Sequence, residues 1–105
     1  MVRVITSTAE YTELINSDKK VIVDFHASWC GPCKVIAPKY EEFSKENPEV
    51  EFIKVDVDDL GEVSALAGVR AMPTFQTYKG GVKVGELLGA DAKKLKALVE
   101  EIKNI

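Results

Sequence analysis

The tightest constraint on this chain is a Cys-x-x-Cys placed where a strand gives way to a helix. Val21 to Pro38 reads VIVDFHASWCGPCKVIAP. The run Val21-Ile22-Val23-Asp24-Phe25 is short, apolar and β-branched, which predicts a buried strand. His26-Ala27-Ser28-Trp29 forms a brief link to Cys30-Gly31-Pro32-Cys33. Pro32 suits the first turn of a helix, where a missing N–H is no loss. The two cysteines therefore fall at a helix N-terminus.

Free N–H groups and the positive end of the helix dipole favour negative charge at that point. A Cys30 thiolate is stabilised there, so its pKa is expected to fall. Cys33 lies one turn further on and is expected to be less accessible than Cys30. One reactive thiol beside one sheltered thiol makes a dithiol exchange site, the redox reading of a CxxC next to a βαβ pattern. Two other readings are weaker. As a structural staple, a four-residue loop contributes only about 2 kcal/mol in the chain-entropy account. As a zinc site, the chain offers two cysteines and His26 where zinc wants four ligands. No metal is expected.

The 105 residues fit one domain, 1–105, with room for a single core. Hydrophobic residues make up 46% and charged residues 30%, with a net charge of −3 and interspersed signs. That pattern points away from nucleic acid and from an acidic membrane surface. No apolar run approaches the ~20 residues of a membrane span. Met1-Val2-Arg3-Val4-Ile5 carries no signal-peptide pattern. Two cysteines spaced CxxC are not a secreted disulfide framework. A reducing compartment, the cytoplasm, is the expectation, and nothing suggests a stable oligomer, so a monomer is expected.

Arg3-Val4-Ile5 reads as a short strand. Ser7-Thr8-Ala9-Glu10 has capping-box spacing, ahead of a helix with Tyr11, Leu14 and Ile15 on one face. A second helix runs from about Pro32 to Asn47, with Val35, Ile36, Tyr40 and Phe43 as its apolar side and Pro38 as an expected kink. Val50 to Val57 is a strand, parallel to Val21–Phe25 through a right-handed crossover. Asp58 or Asp59 is expected to cap a third helix that buries Val63, Leu66 and Ala67 and stops at Gly68. Thr74 to Tyr78 and Val82 to Leu88 form a hairpin around Lys79-Gly80-Gly81, with a bulge near Gly85. Asp91 caps a last helix whose Leu95, Leu98, Val99 and Ile102 fall on one face. The order β-α-β-α-β-α-β-β-α predicts an α/β fold, a mixed sheet with helices on both sides.

WCGPC, preceded by VDF and followed by K-x-I-x-P, resembles the thioredoxin family. The likeness continues through Lys54-Val55-Asp56-Val57-Asp58, Ala71-Met72-Pro73-Thr74-Phe75 and Gly89-Ala90, in order and over nearly the whole chain. The wording is most similar to the eukaryotic cytosolic type. The resemblance implies a thioredoxin fold, with a five-stranded mixed β-sheet flanked by four α-helices. It implies a protein-disulfide reductase in which Cys30 attacks a client disulfide and Cys33 releases the client. The chain would need no bound cofactor, since electrons would come from NADPH through a separate thioredoxin reductase. Gly31 and Pro32 resemble the reducing members, in which the disulfide form is comparatively stable.

Asp24 interrupts an apolar strand, and alternation alone permits either a buried or a solvent-facing carboxyl. The resemblance implies a buried one, with a raised pKa, that deprotonates Cys33. Lys54 is its natural charge partner. Pro73 follows Met72 at a strand start; X-Pro bonds are mostly trans, whereas the resemblance implies a cis bond packed against the CxxC. Met72 is then free to pair with an extended client peptide. By the same likeness Trp29, Gly89 and Ala90 border a shallow client groove, although Trp29 also suits a core position. His26 departs from the family's usual residues. It reads as a plain strand-end residue or as a group tuning Cys30. Two functional alternatives to the reductase remain at this point: a non-catalytic binding module, and an oxidase or isomerase of a secretory compartment.

Overall fold

A computed structural model describes all 105 residues. Its centre is β2, Lys20–His26, whose residues Val21, Ile22, Val23 and Phe25 are wholly buried. An apolar strand covered on both faces belongs in the middle of a sheet. Around it the chain runs β1 (Arg3–Val4), α1 (Thr8–Ile15), β2, α2 (Gly31–Glu46), β3 (Val50–Asp56), α3 (Gly61–Ala67), β4 (Thr74–Lys79), β5 (Val82–Leu88) and α4 (Ala92–Lys103). The sheet order is β1-β3-β2-β4-β5. β1, β3 and β2 are parallel, whereas β4 is antiparallel to β2 and β5 to β4.

Strand alternation sends odd and even residues of β2 to opposite layers. Ile22, with Phe52 and Phe75 of the neighbouring strands, packs under α2 and α4 against Ile36, Tyr40, Leu95 and Ile102. Val21, Val23 and Phe25, with Ile53, Val55 and Tyr78, pack against Tyr11, Leu14 and Val63 of α1 and α3. Asp24 shares the face of Ile22. It therefore lies under α2, the helix that carries the cysteines.

Local signals explain most element ends. The Ser7 hydroxyl accepts from the Glu10 N–H, while the Glu10 carboxylate accepts from the Thr6 N–H. The capping box is thus closed one residue earlier than the usual reciprocal bond to the cap itself. Asp91 caps α4 by accepting from the Lys94 N–H, and all four expected apolar residues of that helix are buried. α2 continues through Pro38, whose ring leaves the Lys34 carbonyl without its usual donor. Gly80 and Gly81, at φ 59° and 82°, make the hairpin turn. The register of β4 and β5 slips between Thr77 and Tyr78, beside Gly85, where a bulge was expected.

Three expectations fail. α3 has Leu60 at its N-cap with no side-chain cap, because Asp56 instead accepts from the N–H groups of Asp58 and Asp59 and holds the loop open ahead of the helix. Leu66 is exposed, since a seven-residue helix presents only one turn to the sheet and Val63 takes that place. Val35 is exposed as well: α2 turns Cys33, Ile36, Tyr40 and Phe43 inward, a stripe that excludes position 35.

Candidate active site

Cys30 is the N-cap of α2, and its Sγ accepts from the Cys33 N–H at 3.2 Å. Pro32 in the first turn has no N–H to offer, so the Cys33 amide is the donor directed at that sulfur. Cys30 is itself anchored by its N–H to the Ala27 carbonyl. The two cysteines form a disulfide, with Cα atoms 5.3 Å apart.

Both cysteines are buried, at 4% and 5% exposure. The expected contrast between an open Cys30 and a sheltered Cys33 is absent in this bridged state. Each sulfur covers the other, and Ala27, Val57 and Met72 pack around the pair. Gly31 and Pro32 stay exposed in the first turn of the helix.

The Met72–Pro73 bond is cis. Pro73 is buried, and its carbonyl accepts from the Gly89 N–H at 2.9 Å, which ties the end of β5 to the start of β4. Gly89 has φ 100°, a conformation side chains rarely adopt. Ala90 follows it, exposed. Met72 packs against the cystine, with Pro73 next to it in the chain and Gly89 bonded to Pro73, and none of the turn and loop hydrogen bonds uses the Met72 backbone. Trp29 is 66% exposed, which excludes a core role. Its indole N–H donates to Asp58 at 2.9 Å.

Asp24 is buried, at 4% exposure, and its Oδ1 has no hydrogen-bond partner. Burial pushes its carboxyl up from the ordinary 3.8 to about 7, against a lowering pull from the Lys54 charge. Lys54 is its register partner on β3, but no ion pair within 4.0 Å joins them. Lys54 therefore acts on Asp24 through space. A cavity of about 190 Å³ connects Asp24 with Cys33 and is bordered also by His26, Ser28, Lys34 and Lys54. Cys30 does not line it. Beneath, the buried Tyr40 hydroxyl lies 3.0 Å and 2.7 Å from the Ile22 and Ile53 carbonyls. Burial, and then the Asp24 charge, push that phenol well above its usual range.

Asp58 as the partner of Trp29, and Ser28 and Lys34 on the cavity, were not foreseen as site residues. Trp29 and Asp58 are 29 positions apart, so only the fold brings them together.

A cystine capping a helix, a buried carboxyl across a cavity from its second sulfur and a cis-proline following the Met72 that packs on the cystine occur here on a five-stranded α/β sheet. Comparison with known proteins agrees with that arrangement. The thioredoxin family model matches residues 2–104. Thioredoxin-1 of Schizosaccharomyces pombe is 50% identical over 100 residues, 95% of this chain and 97% of that protein. Rabbit (Oryctolagus cuniculus) thioredoxin is 47% identical over 104 residues, 97% of this chain and 99% of that protein. The solved structure of Plasmodium falciparum thioredoxin superposes with a TM-score of 0.92 at 50% identity, covering 94% of this chain and 97% of that one. The chain belongs to the thioredoxin family, and its likeness is to thioredoxins of eukaryotes. It is a thiol–disulfide oxidoreductase that acts on disulfide substrates through reversible exchange at Cys30 and Cys33.

Proposed function

We propose that Cys30 is the attacking sulfur, Cys33 the resolving sulfur and Asp24 the proton acceptor in the reduction of client-protein disulfides. The observation that carries this reading is the Cys30 Sγ at the N-cap, already accepting the Cys33 amide. A thiolate at the same place gains that hydrogen bond and the helix dipole. Cys30 attacks one sulfur of the client disulfide and the other client sulfur leaves with its electron pair. Cys33 then gives its proton to the Asp24 carboxylate across the cavity, which has Ser28, His26 and Lys54 on its border and is large enough for a bridging water. The Cys33 thiolate attacks Cys30, forms the intramolecular bridge and expels the second client sulfur.

Lys54 keeps part of the Asp24 population ionised near neutral pH, since its charge opposes the effect of burial. Trp29, Met72, Pro73, Gly89 and Ala90 border the client groove, where the free Met72 backbone pairs with an extended peptide. Gly31 and Pro32 set the reducing direction. The oxidised protein is recharged by a thioredoxin reductase that draws on NADPH. The protein itself holds no cofactor and no metal, and it works as a monomer in the cytoplasm. No helix is long and apolar enough to cross a membrane.

The test is reduction of insulin disulfides with NADPH and a thioredoxin reductase. Turnover well above background supports the reading, and background turnover with a folded protein overturns it. Within that reading, Asp24→Asn slows resolution of the mixed disulfide more than its formation. Equal resolution rates in variant and parent remove Asp24 from the mechanism.

A further inference from the structure

Asp24 must lose its acquired proton before each new cycle, yet it is buried and its Oδ1 has no partner through which to pass it. Below it, the Tyr40 hydroxyl is directed at the Ile22 and Ile53 carbonyls. The remaining way out is the cavity. Two titratable side chains on its wall, Lys34 and Lys54, bear ammonium groups that have no lone pair to accept with. His26 is the other. It stands two residues after Asp24 on β2, so both side chains emerge on the same face of the sheet. Asp24 is buried, whereas His26 is half-buried on the wall of the same cavity, so the imidazole meets both the cavity and solvent.

We propose that His26 is the proton exit of this site, taking the proton that Asp24 removes from the Cys33 thiol and releasing it to solvent. The proposal rests on the role of Asp24 given above. In the resolving step, the Cys33 S–H proton moves to the Asp24 carboxylate and the Cys33 electron pair forms the bond to the Cys30 sulfur. The Cys30–client bond breaks, and its pair leaves on the client sulfur, which takes a proton from solvent. Neutral His26 accepts the Cys33 proton from Asp24 before the sulfur–sulfur bond forms, so that Asp24 cannot return it to Cys33, and loses it to bulk water. Electrons and protons balance without any further reactant.

The surroundings of His26 suit an acceptor that does not keep its proton. Burial lowers its pKa, and the Lys54 charge lowers it further, while Asp56 on β3 and Asp59 in the following loop oppose them. Asp24 on its own strand and Lys34 of α2 complete the charged groups around the shared cavity. His26 faces the chamber of Cys33, which Cys30 does not line.

The experiment follows a single turnover of the full chain with a disulfide-bonded peptide in stopped flow, in weakly buffered solution near neutral pH. The concentration-dependent phase reports attack by Cys30, and the concentration-independent phase reports resolution by Cys33. In His26→Gln and His26→Ala, resolution slows by about tenfold, below the full effect of a positioned proton-transfer group because water still competes. Attack by Cys30 is unchanged. Added imidazole restores the resolution rate of both variants and leaves the parent unaffected, a rescue that a merely structural role would not show. Parental resolution in both variants, or a slow phase that imidazole does not move, overturns the role of His26. If Asp24→Asn is slow while the His26 variants are not, His26 alone is excluded. Parental resolution in Asp24→Asn removes both roles.

Discussion

A carboxyl with 4% exposure and an unpartnered oxygen destabilises the fold whenever it is ionised. For Asp24 the sign follows from its pKa, raised from 3.8 to about 7 on folding. Between those values the folded chain binds more protons than the unfolded one, so stability falls as pH rises. The contribution is full below about pH 4, drains away up to about pH 7 and is flat above it. The size of the rise bounds the loss at about 4 kcal/mol. Asp24→Asn is therefore more stable than the parent at pH 8, and the difference shrinks towards pH 4. Urea unfolding of the oxidised proteins at both values measures it, and parallel pH profiles would contradict it. The burial of Asp24 was only partly legible in the sequence. Alternation along β2 allowed either face, because Ile22 and His26 share it; the covering helix α2, a contact of the tertiary fold, decides the matter.

α4, with a whole apolar stripe, is legible in the sequence, whereas α3 and position 35 of α2 are not. α4 shows three turns of period 3.6 behind an Asp cap, so Leu95, Leu98, Val99 and Ile102 announce their own burial. α3 has one buried residue, Val63, and too few turns for periodicity to separate it from Leu66. The expected Asp cap is not formed: Asp56, a strand residue, accepts from the Asp58 and Asp59 N–H groups, and Leu60 stands at the cap position. Asp91→Ala removes the bond to the Lys94 N–H and is expected to cost about 1 kcal/mol. Gly85 is a second test at this scale. A Cβ there would lie 2.7 Å from Thr77 Oγ1 and 2.8 Å from both Glu101 Oε1 and Leu98 Cδ1. The Glu101 carboxylate can swing aside, but the buried Thr77 and Leu98 are less free to move. Gly85→Ala is expected to lose about 1–3 kcal/mol through overpacking. A midpoint in urea equal to the parent's would show that the β5–α4 contact relaxes freely.

Across the whole molecule, redox state and folding are linked through one short loop. Bridging Cys30 and Cys33 restricts the unfolded chain by about 2 kcal/mol in the chain-entropy account, so the oxidised protein should resist urea more than the reduced one. Equal unfolding free energies in the two states would show that the fold favours neither. The element sequence implies a mixed sheet and the apolar run of Val21–Phe25 a buried strand, whereas the order β1-β3-β2-β4-β5 and the central place of β2 come from the assembled fold. Contacts between distant segments, such as Trp29 with Asp58 or Gly89 with Pro73, left no local trace in the sequence and emerge only from the assembled sheet. The chemistry of the whole molecule depends on two sulfurs with unequal tasks. The most direct test is mass analysis of the products formed when the reduced chain meets a peptide disulfide. The parent should end as the Cys30–Cys33 bridge with all peptide released, Cys33→Ser should hold one peptide on Cys30, and Cys30→Ser should capture little. A Cys33→Ser protein that releases its peptide and turns over like the parent would contradict the division of labour between the two cysteines.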